Sequence, residues 1–257
     1  MKITFSCPEE LLDHLPRPIP AKRSVPDWYK QMPMNAFSPD LDQDVQTLKQ
    51  CPPFLDAMTY GFIIPLPVNV EVDNMEFSWN WDVPQPSDGP GHTDIGLHSQ
   101  SPLGFHSPEQ AEGTPYFNEG VGFSKFNCFW TMQLEVGYSL YVTHPSNRYD
   151  LPFRTINGLV DADTYNEVYI NFPVLWVEPD FKGVLKKSTP VAQCIAIQRQ
   201  AHKLDMHAMD RVSATPLSTA SSVSCGRYLQ ASANAAAAPV KSPDAINTVP
   251  KPCQAST

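Results

Sequence analysis

Proline constrains this chain more than any other residue, recurring 27 times in 257 positions, about twice the ~5% of an average protein. Each proline removes a backbone donor and fixes φ, which makes long helices and uninterrupted central strands equally hard to write. Short strands joined by turns are what remains. From Ala57 to Val72 a continuous apolar segment gives way to alternation at Val68, Val70 and Val72. Glu76 to Trp81 continues in the same style, so the pattern predicts a hairpin around Asp73-Asn74. Further strand-like segments follow at 126–134, 138–143, 167–172 and 191–197, with an Asn157-Gly158 turn among them. Together they predict an all-β fold, a barrel or a sandwich.

Composition divides the chain into three stretches. Residues 1–56 form a Pro-rich amino-terminal arm in which Pro8 to Leu15 predicts one short helix ended by Pro16. Trp28, Tyr29, Phe37 and Phe54 carry more apolar surface than a free arm leaves in water, so the arm must cover the chain's own sheet or a partner's. Residues 57–209 form the β-rich core. Within it, Pro84 to Pro115 is a loop rich in Gly, Pro, Ser and His, of a length that marks functional or mobile segments. Residues 210–257, with their alanine run from Ala235 to Ala238, read as a low-complexity, disordered tail.

The formal charge of −9 argues against a protein that coats nucleic acid, since such a surface needs dense Lys and Arg. A single nucleotide in a local pocket stays compatible with it. No apolar run reaches the ~20 residues of a membrane helix and no secretory leader is visible, so the sequence predicts an intracellular protein without membrane attachment. Six widely spaced cysteines without a CxxC pair predict free thiols rather than a zinc or redox motif. The sequence also lacks a P-loop, GxGxxG, GxSxG and HExxH, which disfavours kinases, Rossmann dehydrogenases, α/β-hydrolases and zincins.

The strongest chemical signal is Gly158-Leu159-Val160-Asp161-Ala162-Asp163-Thr164-Tyr165-Asn166-Glu167, followed by Thr189-Pro190-Val191-Ala192-Gln193-Cys194. Upstream lie Val136-Gly137-Tyr138 and His144-Pro145-Ser146-Asn147. In order and spacing these four segments resemble the motifs of deoxyuridine triphosphatases and deoxycytidine triphosphate deaminases. The resemblance implies a β-clip-like fold and a homotrimer with sites between subunits. It also implies Asp161 as the catalytic carboxylate that activates water, Tyr165 beneath a deoxyribose, Ser146 and Gln193 as phosphate contacts, and Mg²⁺ on a triphosphate. A carboxylate beside a metal-bound triphosphate can serve as such a base. Two arginines of the family pattern are replaced here, by Ser146 and Pro190. Each removes a charge-assisted hydrogen bond worth roughly 1.5–3 kcal/mol, so enzymatic turnover does not follow from the motifs. The alternative is a non-enzymatic structural or interaction role.

A second constellation points to different chemistry. His92-Thr93-Asp94, then His144 and Arg154, resembles the order of iron(II) and 2-oxoglutarate oxygenases. It implies Fe²⁺ held by His92, Asp94 and His144, with Arg154 on the oxoglutarate carboxylate. His98 and His106 add imidazoles to the same loop. Over roughly residues 1–200, including Pro26-Asp27-Trp28-Tyr29-Lys30 and Cys51-Pro52-Pro53-Phe54-Leu55-Asp56, the chain resembles a family of proteins encoded by marine tailed phages and some bacteria. That likeness implies a phage-related context, in the host cytoplasm or the virion, and supplies no activity.

Overall fold

A computed structural model of the chain describes residues 1–81, 101–114 and 123–208. The sequence-predicted tail and most of the 84–115 loop, with His92, Asp94 and His98, lie outside the described residues. Among the described residues, sixteen short strands make five antiparallel sheets, as the proline density predicts. None of these sheets closes into a barrel. Two short α-helices, α1 (Asp27–Gln31) and α2 (Pro52–Thr59), belong to the amino-terminal part.

With strands numbered along the chain, the largest sheet has the order β13 (Gly158–Val160), β11 (Tyr138–Thr143), β16 (Pro190–Gln198), β5 (Phe62–Pro65) and β2 (Ile19–Pro20). A second runs β12 (Phe153–Thr155), β14 (Phe172–Trp176), β9 (Phe123–Phe126) and β8 (Leu103–His106). The third is β15 (Lys182–Leu185), β6 (Val70–Asp73) and β7 (Glu76–Trp79). Two pairs complete the set, β1 (Thr4–Ser6) with β10 (Thr131–Gln133) and β3 (Asn35–Ser38) with β4 (Gln43–Gln46).

Alternation fixes the register of the largest sheet, because a one-residue slip would turn its apolar set to water. Leu140 pairs with Ala196 and Val142 with Cys194 on the core face, while Ser139, Tyr141 and Thr143 pair with Ile197, Ile195 and Gln193 on the other. Leu140, Val142 and Cys194 share one buried cluster with Phe126, Phe153 and Phe172 of the second sheet. Its centre is aromatic: the Phe126 and Phe153 rings meet at 4.8 Å and those of Phe153 and Trp176 at 5.9 Å, both in edge geometry that suits their quadrupoles.

The β6–β7 hairpin sits where the sequence places it. Asp73 pairs with Glu76, and Asn74 and Met75 take φ of 50° and 67°, the two positive values of a type I′ turn. Elsewhere local chemistry overrides the sequence pattern. The apolar run from Ala57 does not open as a strand: Pro52 and Pro53 start α2, which extends through Thr59. Gly61, at φ 76°, then turns the chain into β5, and a Cβ there would lie 2.2 Å from the carbonyl oxygen of Cys194. The helix predicted from Pro8 is only a 3₁₀ turn, Glu9–Leu11, without a side-chain cap. Of the strand predicted at 167–172, the regular part starts at Phe172, with Tyr169 bridging to Thr131.

Residues 1–205 form one compact unit, and the arm is built into it. β1 pairs with β10, β2 pairs with β5, and Leu11 and Leu15 are buried in the main cluster. Tyr29 stacks on Phe54 at 6.1 Å and Trp28 meets the same ring at 6.5 Å. The Lys49 ammonium lies 4.4 Å over the Tyr29 ring and donates to the Tyr29 carbonyl at 2.6 Å. Of the four arm aromatics singled out in the sequence, Tyr29 and Phe54 are thereby packed and Trp28 partly so, while Phe5 packs on Phe62 at 5.1 Å. Phe37 stays 61% exposed.

Candidate functional site

The residues singled out by the triphosphatase-like motifs fall into two clusters at opposite ends of β11. At its start, Gly137 takes φ 89°, a left-handed value that favours glycine. Its amide donates to Asp163 Oδ2 at 2.8 Å, and its carbonyl accepts from the Arg199 amide at 2.8 Å. Val160 pairs with Leu140, which sets Asp161 opposite Ser139, whose hydroxyl donates to Asp161 Oδ1 at 2.6 Å. Arg199, one residue beyond β16, ties these groups together. Its Nη1 lies 3.1 Å from Asp161 Oδ1 and 2.9 Å from Asp163 Oδ1, while Nη2 donates to Asp163 Oδ2.

The two carboxylates differ sharply in setting. The Asp163 side chain is 4% exposed and that of Asp161 61%. The Arg199 guanidinium, and after it the Gly137 amide, hold the Asp163 carboxyl well below the usual carboxylate range. Asp163 therefore acts as an anchor, and Asp161 is the carboxylate that solvent reaches. Tyr165 follows on the same turn, its amide donating to the Asp161 carbonyl at 2.7 Å and its side chain exposed. The Ser139 hydroxyl and the Arg199 guanidinium both take Asp161 Oδ1, which leaves Oδ2 as the one oxygen of this carboxylate for a cation.

At the other end of β11, Gln193 is 1% exposed and bonded on both sides of its amide. Its Oε1 accepts from the Ser146 amide at 2.8 Å, and its Nε2 donates to the carbonyls of Ala57 at 2.8 Å and Tyr60 at 2.7 Å. Both amide protons are used. Gln193 thus locks the end of α2 and the Ser146 turn onto β16, and Asn147, at φ 60°, reaches from that turn to the Phe54 carbonyl at 3.3 Å. Ser139 and Thr143 mark the two ends, four residues or ~13 Å apart along a strand. One chain brings Asp161 and Tyr165 together, and Ser146 and Gln193 together, but not the two pairs.

His144 belongs to the second cluster. Its Nδ1 accepts from the Thr155 amide at 3.2 Å and its Nε2 faces the Arg148 carbonyl at 2.9 Å, so the neutral ring carries its proton on Nε2. Burial, followed by the charges of Arg154 and Arg148, pushes its pKa down. Arg154 donates to the carbonyls of Leu151 and Phe153, both at 2.8 Å, and lies over the Tyr149 ring. As a metal ligand His144 would have to give up one of its two bonds. No group of three His, Cys, Asp or Glu side chains comes together as a metal site among the described residues.

Arg199 and the burial of Asp163 were not visible as site features in the motif pattern. A signal was present: the sequence carries a single cation directly after the β16 apolar run, in register with the Val136-Gly137 turn. The chain matches no protein-family model, and no curated protein is detectably similar to it.

Proposed function

We propose that this chain is a non-enzymatic β scaffold with a structural or interaction role, in the phage-related context its sequence implies, rather than a working triphosphatase. One observation carries the reading: Gln193, the motif residue that should meet phosphate, is buried and spends both amide protons on Ala57 and Tyr60. The Arg199 guanidinium and the Ser139 hydroxyl, both on Asp161 Oδ1, support it, because they occupy one of the two oxygens a general base would offer to water. A second reading, a deoxynucleotide held between copies of the chain, is favoured by the exposure of Asp161 and Tyr165 on one turn.

Calorimetry against deoxyuridine and deoxycytidine triphosphates with Mg²⁺, alongside an assay for released pyrophosphate, separates the two. The scaffold reading expects neither heat nor product. Saturable heat that disappears in Asp161→Asn would refute it in favour of the second.

A further inference from the structure

Two apolar features have no partner among the described residues. The first is the β3–β4 hairpin, a two-stranded sheet paired only with itself. Hairpins of this kind are marginal in water without a packed face. Its base is well tied: the Thr47 amide donates to Met34 O at 3.0 Å, and Gln50 Nε2 donates to Met34 O at 3.0 Å and Asn35 Oδ1 at 2.8 Å. Its outer part presents Phe37 at 61% exposure and Leu41 at 60%. Asp44 sits opposite Phe37, and Asp40 and Asp42 flank Leu41 in the loop. The segment 35–46 carries these three carboxylates and no Lys or Arg.

The second feature is a groove of about 300 Å³ between the edge strand β2 and β1, lined by Ile3, Phe5, Ile19, Tyr60, Phe62 and Ala196. Its volume is at the lower end for small-molecule sites, and its walls are mostly hydrocarbon. None of its lining residues comes from the hairpin, so among the described residues the hairpin of the same chain does not fill it. Cations follow its β2 wall on both sides in sequence: Arg17 precedes Pro18, and Lys22 and Arg23 follow Pro20. Arg17 has only an exposed pairing with Asp13 at 3.7 Å. Among the described residues Lys22, Arg23, Asp40, Asp42 and Asp44 form no ion pair.

An acidic knob with an apolar tip and an apolar groove with a basic border, on one polypeptide, are complementary in both shape class and sign. We propose that the hairpin of one copy of this chain docks in the groove of the next, with Phe37 and Leu41 entering the apolar walls and Asp40, Asp42 and Asp44 meeting Arg17, Lys22 and Arg23. The two surfaces differ, so the contact is head-to-tail and closes into a ring or extends as a filament. It uses neither the Asp161 nor the Gln193 side chain, meeting the Gln193 cluster only at Tyr60, whose carbonyl Gln193 holds, and its outcome is independent of nucleotide titration.

Sedimentation of the full chain, from micromolar to near-millimolar concentration, tests it with two variants. Phe37→Ser with Leu41→Ser alters only exposed hairpin positions, and Lys22→Glu with Arg23→Glu alters only exposed border charges; unchanged melting temperatures check that both fold. The wild type should sediment above monomer mass in a concentration-dependent way, and each variant alone as monomer. An equimolar mixture of the two variants should form a heterodimer and nothing larger, because one supplies an intact groove and the other an intact hairpin. A monomeric wild type, a border variant that keeps the wild-type mass, or a mixture that stays monomeric would each overturn the proposal.

Discussion

Replacing Gln193 by leucine tests the reading of this residue as an internal strut. The substitution keeps side-chain volume and removes three hydrogen bonds, from the Ser146 amide at 2.8 Å and to the carbonyls of Ala57 and Tyr60 at 2.8 and 2.7 Å. At about 1 kcal/mol net per bond the loss is about 3 kcal/mol. Leucine offers nothing to the stranded groups, so this is the lower end of the range. In a domain of this size each kcal/mol moves the melting temperature by roughly 2–4 °C, giving a fall of about 6–12 °C. The damage should be local in character. Hydrogen exchange should accelerate most from Ala57 to Gly61, where α2 loses its tie to β16, and at Ser146, before it does so in β11. Gln193→Glu serves as the companion variant, since it keeps an acceptor for Ser146 while turning an oxygen towards two carbonyls. It should destabilise at least as much. Urea unfolding of both variants gives the number directly. A loss below about 1 kcal/mol in Gln193→Leu, within the range of ordinary surface substitutions, would refute the strut and return Gln193 to the pool of ligand contacts.

Three further outcomes follow from the same geometry. Gly137→Ala forces a Cβ into a left-handed conformation and should cost about 1–2 kcal/mol in urea unfolding, even though open space surrounds the position. Acidification should weaken the fold in two stages. The pKa of His144 is lowered in the folded protein, so the unfolded chain binds the proton more readily and stability falls as pH drops below the ordinary imidazole value of ~6.5. The Asp163 carboxyl is also lowered, its contribution is complete above the ordinary value of ~4 and fades below it, and Arg199→Met should shrink that second stage while leaving the first, with the Gly137 amide supplying what remains. Burial pushes the Cys128 thiol up to about 12 and that of Cys194 well above its usual value. Mass mapping after exposure to a thiol reagent at pH near 8 should therefore find both unlabelled in the native protein and labelled in urea.

The strand content of this fold was legible because its causes are local. Proline density excluded long helices, period-two alternation marked β6, a short strand-like segment marked β11, and Asp73-Asn74 announced a turn whose two positive φ values the structure supplies. The failures have local causes as well. Apolar side chains at Ala57 and Met58 fit a strand and a helix equally, and the paired prolines before Phe54 decide for the helix. At Pro8 a plausible helix start lacks a side-chain cap, and one 3₁₀ turn is all that its short stretch sustains.

The candidate site was legible as a list of residues but not as an arrangement, and the reason lies in what motif spacing encodes. Gly137, Asp163 and Gln193 recur at positions where a β-sheet end has to be tied down: a left-handed turn, a carboxylate that accepts from its amide, and a buried amide that bridges strand to helix. A sequence keeps such residues whether or not a ligand binds, since losing any one of them leaves paired backbone groups without partners. Chemistry needs something further, namely lone pairs or charges left unspent after the fold has taken what it needs. By that criterion Gln193 is spent, Ser146 keeps a half-buried hydroxyl, and Asp161 and Tyr165 retain the most surface for a ligand, although Asp161 already shares its charge with Arg199. Among the described residues further unspent charges lie in Asp40, Asp42 and Asp44 of the β3–β4 hairpin and in Lys22 and Arg23 beside β2. Among the described residues the arm thus keeps charged surface for a partner that the motifs did not single out.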